Sequence, residues 1–218
     1  MNLQQTDLGL TLKVDSLPDI HAPQTNKAYT APEEGVDNLG ISSIDKFQIK
    51  GVGEFSVNFD GFVRVARSQP TETQWEGCEV YTNLIELRMI GTSEEMGSII
   101  VSLNKSFRSA GQIRSPFTND GPTSAKSCRM AVGAVFEIPR MGLTLFNKEP
   151  IELTIDNVTS IPPAGAPGVG RIYEVLPLYD MNHPQSYPVA YLTALTFTMG
   201  SYISMQDIER IRSMGMTH

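Results

Sequence analysis

The segment EFSVNFDGFVRVAR, residues 54–67, sorts its side chains to two sides with a period of two. That period belongs to a half-buried strand and to no helix. Read as one strand, Phe55, Val57, Phe59, Val63 and Val65 line one face. Glu54, Ser56, Asn58, Asp60 and Arg64 line the other, and only Phe62 is out of place. Asp60-Gly61 also fits a two-residue type I′ hairpin. That pairing would leave Arg64 on the apolar face, so the single strand is preferred, with a bend or bulge at Gly61.

The same alternation recurs along the chain. In EVYTNLIELRMI it groups Tyr81, Ile85, Leu87 and Met89, and in SIIVSL it groups Ile99, Val101 and Leu103. RMAVGAVFEI groups Met130, Val132, Phe136 and Ile138, and IELTIDNV groups Ile151, Leu153 and Ile155. VAYLTALTFTMGSY places Val189, Tyr191, Leu195 and Phe197 together. Strands joined by Gly, Pro and Asn turns, without βα alternation, predict an all-β fold. The expected architecture is an antiparallel β-sandwich or barrel-like domain with one short C-terminal α-helix and an extended N-terminal arm.

The arm is drawn over residues 1–45, where Pro18, Pro23, Pro32 and the pair Glu33-Glu34 interrupt the pattern. Leu8, Leu10, Leu12 and Val14 alternate within it as a strand over 8–14. Such a strand pairs with its own domain or a neighbouring subunit, or else remains part of a tail. Residues 46–218 are read as a single β-rich domain ending in a helix at about 205–214. There Ser204 can cap, Ile203 and Ile208 can form a hydrophobic staple, and Gly215 can end the helix. This helix is expected as a lid over an open end or edge of the sheet.

Charge narrows the partners. With a formal charge of −7, the chain lacks the basic surface that binding phosphates or anionic lipid requires. No nucleic acid and no membrane are expected. MNLQQTDLGLTLKVDS shows no secretory signal pattern, so a cytoplasmic location is expected, with Cys78 and Cys128 as reduced thiols.

Chemistry-bearing motifs are sparse. GAPGVGRIYEV, residues 165–175, carries glycines but lacks the Lys-Ser/Thr and the following helix of a phosphate loop, so it reads as a surface loop. Three histidines and no zinc-spaced cysteines predict neither metal nor cofactor. Trp75, before a strand, is read as covering one end of the core. The best cluster is YDMNHPQSYP, which gathers Asp180, His183 and Tyr187 in one loop, with Glu174 upstream. A histidine between a carboxylate and a phenol can exchange protons near neutrality.

Two functions follow. The first is a non-enzymatic β-sandwich acting through protein association or self-assembly, with a protein partner or a homo-oligomer formed through the arm. The second is a cofactor-independent cyclase or isomerase that holds an apolar small molecule in a cavity inside a β-barrel. Asp180, His183, Tyr187 and Glu174 are its candidate catalytic residues.

Overall fold

The computed structural model describes residues 33–73, 77–116, 125–158, 161–171 and 175–214. Among these residues the strands are, in order, β1 (Gly35–Ile49), β2 (Gly53–Arg67), β3 (Thr71–Thr73), β4 (Gly77–Ser93) and β5 (Gly97–Leu103). Then come β6 (Ala110–Pro116), β7 (Ala125–Val132), β8 (Ala134–Ile138), β9 (Leu143–Asn147) and β10 (Ile151–Val158). β11 (Pro167–Arg171), β12 (Leu176–Asp180), β13 (Ala190–Tyr202) and a helix, α1 (Met205–Ser213), complete the set. No helix among the described residues is long and apolar enough to cross a membrane.

Pairing closes the sheet into a barrel-like ring, not evenly disposed round one axis. One circuit runs β1-β2-β4-β5-β8-β9-β12-β13 and returns to β1; the other runs β1-β2-β4-β6-β7-β10-β11-β13. β1, β2, β4 and β13 therefore span the full height, and the remaining staves are each broken in two. Closure pairs the strand edges that an open sheet would leave exposed. At one break, between β7 and β8, the buried Asn147 amide takes the place of a partner strand. Its Oδ1 accepts from Ala134 N–H at 2.7 Å, and its Nδ2 donates to the Val132 carbonyl at 3.0 Å.

β1 begins at Gly35, so the arm boundary expected at residue 45 falls inside a strand of the barrel. The expected strand at 8–14 lies outside the described residues. β2 is a single strand paired along its whole length with β1, and no hairpin forms at Asp60-Gly61. The bulge expected at Gly61 lies instead where Arg64-Val65 meets Glu86 and Leu84 across β4, which skips Ile85. Gly61 answers a different need: a Cβ there would come within 2.0 Å of the Arg88 carbonyl oxygen.

Skipping one residue reverses the alternation that follows. Thr82 and Leu84 are buried before the bulge, Leu87 and Met89 after it, while Tyr81 and Ile85 are exposed. Grouping Tyr81 and Ile85 with Leu87 and Met89 is corrected accordingly. β13 repeats the device: Lys46-Phe47 of β1 pairs with Ala194 and Leu192, skipping Thr193. Ala190 and Leu192 are buried before it and Leu195, Phe197 and Met199 after it, leaving Tyr191 half-buried beside Lys50.

Phe62, the misfit of the sequence pattern, points outward and is nevertheless fully buried. α1 covers it, packing Ile208 and Ile211 on Phe62 with Ile203 alongside. The helix thus lies on the outer wall of the barrel and is not a lid over an end. Its start follows the sequence: Ser204 Oγ accepts from Asp207 N–H at 3.1 Å. Glu86 of β4 anchors its far end, accepting from Arg212 Nε at 2.7 Å and from Arg64 at 3.3 Å. Arg212 foremost holds the Glu86 carboxyl below the usual carboxylate range.

Candidate functional site

The barrel is solid in one half and hollow in the other. In the half built by β5, β8, β9 and β12, Phe47 meets Phe59 and Phe136 edge-on at 6.3 Å and 5.4 Å. Ile99, Ile138, Leu145, Leu178 and Leu192 fill the space around them. In the half built by β6, β7, β10 and β11 the inward residues leave a cavity of about 80 Å³. Ile113, Cys128, Val132, Ile151, Leu153 and Ile155 contribute to a wall that is almost wholly apolar.

β1 runs the length of this cavity with alternate residues inward: Asp37, Leu39, Ile41, Ser43 and Asp45. Eight residue steps of ~3.3 Å make about 26 Å of strand, or roughly 20 Å of depth for a typical barrel tilt. The space is therefore long and narrow, with a polar group at each end.

At the outer end Arg67 Nη1 donates to both Asp37 oxygens at 2.7 Å, and Tyr202 donates to Oδ1 at 3.4 Å. Burial raises the Asp37 carboxyl more than the Arg67 charge lowers it. Pro162 and Pro163 are buried and line the cavity. The segment preceding the glycine run therefore contributes to the cavity wall. Gly168, in β11, faces Phe197, whose ring leaves no room for a Cβ (2.3 Å). That glycine serves close packing; among the described residues no helix follows it to bind phosphate.

At the inner end, above the phenylalanines, sits Asp45. It is 0 % exposed, and neither carboxylate oxygen has a hydrogen-bond partner. Ser43 Oγ, short of a well-formed hydrogen bond to the carboxylate, is the one neighbour that opposes the effect of burial, and it also lies 4.0 Å from Met89 Sδ. Burial pushes the Asp45 carboxyl up to about 7. Thr82 Oγ1 is another buried, unpartnered group on the lining. Cys128 carries a free, buried thiol, pushed up to about 12 by burial and so held in its unreactive protonated form. The side chain of Cys78 lies outside the described residues.

Asp180 and His183 do come together, with His183 Nδ1 2.9 Å from Asp180 Oδ2, at the end of β12. They form a surface turn in which Asn182 N–H also donates to Asp180 at 3.0 Å. His183, with Asn182 next, holds the Asp180 carboxyl below its usual range. The His183 side chain is 76 % exposed and Tyr187 is 88 % exposed. None of Asp180, His183 or Tyr187 lines the cavity. Glu174 and Trp75 lie outside the described residues. Asp45 was missed, although its signal was present: it shares the odd-numbered phase of Leu39, Ile41, Phe47 and Ile49.

Fold and site together define an antiparallel, barrel-like ring of strands around an apolar cavity. The chain belongs to a family of unknown function, DUF6073, whose model matches residues 2–209. It is similar to a solved structure, DynF from the dynemicin biosynthesis pathway of Micromonospora chersina, at 53 % identity. The match covers 92 % of this chain and 96 % of that one, with a TM-score of 0.76. No curated protein matches.

These findings correct the first functional expectation. A non-enzymatic sandwich acting by association calls for neither a hollow interior nor a likeness to a biosynthetic-pathway protein. The second expectation, a small-molecule cavity inside a barrel, fits both.

Proposed function

We propose that the chain encloses one elongated, largely apolar small molecule in the hollow half of its barrel and acts on it without a cofactor, as a cyclase or isomerase. The observation that carries this reading is the division of the barrel, with an apolar cavity above a solid floor. Likeness to a protein of the dynemicin pathway supports a place in the biosynthesis of a small organic molecule. Removing an apolar body from water drives entry, and narrow walls restrict the conformers a flexible chain can adopt.

Displacement of a fluorescent apolar dye tests occupancy. Cys128→Phe and Ala134→Leu narrow the cavity and should weaken dye binding about tenfold or more, while retaining the far-ultraviolet dichroism of the parent. Equal binding by parent and both variants would place the dye elsewhere and overturn the reading. Isomerisation conserves mass, so incubation with apolar metabolite extracts should yield a compound of changed chromatographic retention and unchanged mass. A carrier is the second reading, favoured by the scarcity of titratable groups on the lining; it predicts binding with unchanged retention.

A further inference from the structure

We propose that Asp45 is the hydrogen-bonding and proton-exchanging group for the inner end of the ligand, and that this end carries a neutral carbonyl oxygen. This rests on occupancy of the barrel, as proposed above.

The carboxyl lines the cavity, is wholly buried, and has both oxygens unpartnered. Buried polar groups are ordinarily satisfied, and an unsatisfied one beside an empty space suits a partner that the space admits. The elements packed round it offer no competitor. β2 contributes Val57 and β13 Leu195 across the ladder, Met89 of β4, Val101 of β5 and Phe136 of β8 line the same cavity, and β1 itself adds Ser43 and Phe47. The titratable groups on the lining are otherwise Asp37, Arg67 and Cys128, all toward the other end.

The chemistry of the inner end follows from what the walls withhold. An ammonium would bring three donors to a place whose only other acceptor is Ser43, and its dehydration would go largely uncompensated. A carboxylate would set two like charges together unless they shared a proton. A carbonyl oxygen needs one donor, and the protonated Asp45 carboxyl has one to give. An ionised Asp45 has none. Binding of such a ligand is therefore coupled to the proton on Asp45.

Three probes of equal chain length separate these cases: an alkan-2-one, an n-alkane and a primary alkylamine, each displacing an apolar dye from the full chain. Measurements at about pH 5.5 and about pH 8.5 bracket the carboxyl's titration. The ketone should bind about tenfold more tightly at the lower pH, where the alkane is unaffected. Asp45→Asn retains a donor at both values and should bind the ketone tightly at each; Asp45→Leu should favour the alkane. A ketone no tighter than the alkane at low pH, a pH dependence that survives in Asp45→Asn, or a preference for the amine would overturn the proposal while leaving occupancy intact. Failure of every probe to displace the dye, or of the dye to enter, would overturn both readings.

Discussion

Asp45 is held where its charge is least welcome, and the consequence for stability depends on pH. In the folded chain its pKa is about 7, against ~3.9 for an aspartate in an unfolded one. Between those values the folded state holds a proton that the unfolded state has released. Raising the pH through this window therefore favours unfolding, and above about 7 the loss is complete. Roughly three pKa units correspond to an upper figure of about 4 kcal/mol. Asp45→Asn removes this titration, so its stability relative to the parent should grow from about pH 4 to about pH 7 and then level off. Urea midpoints measured across the range check the expectation, and a difference constant with pH would mean that the carboxyl is solvated. The residue was legible in part. Ser43 and Asp45 stand in phase with Leu39 and Phe47, a polar intrusion on a buried face. Drawing an arm to residue 45 hid the phase. Asp180 and His183 drew notice because they are neighbours in sequence, a property that carries no information about which way a strand faces.

Most elements were legible from alternation: Phe136 and Ile138 of β8, and Ile151 and Ile155 of β10, are buried on the phase that the sequence shows. The failures have one cause. Skipping Ile85 in β4 and Thr193 in β13 exchanges inside for outside, and no side-chain preference marks either position. Phe62 taught the opposite lesson, because a residue wrong for its strand was right for α1. Removing that ring by Phe62→Ala should cost about 3 kcal/mol and loosen the helix before the barrel. Hydrogen exchange should accelerate first in residues 205–213, with β2 amides still protected. Equal acceleration in both would show that helix and wall unfold as one unit. The Glu86 bridge to Arg64 and Arg212 is too exposed to hold the helix unaided, and is worth no more than about 1 kcal/mol.

Closure of the whole molecule depends on β1 meeting β13, strands at opposite ends of the described chain. Strand periodicity describes each ribbon and is silent on which ribbons meet, so sandwich and barrel were equally compatible with it. The hollow was hidden for the same reason: Leu153 below a void and Leu145 in a packed layer look alike as sequence. A space kept open by the stiffness of a closed ring has a mechanical meaning. Unfolding abolishes that space and shrinks the system, so the empty protein should yield to hydrostatic pressure more readily than a densely filled barrel of its size. An occupant that fills the void should raise the pressure midpoint, measured by tyrosine fluorescence, well beyond what its gain in thermal stability alone implies. An unchanged midpoint would mean that the space collapses when vacant. The interior of this barrel would then behave as a spring, compressed when idle and propped open by its guest.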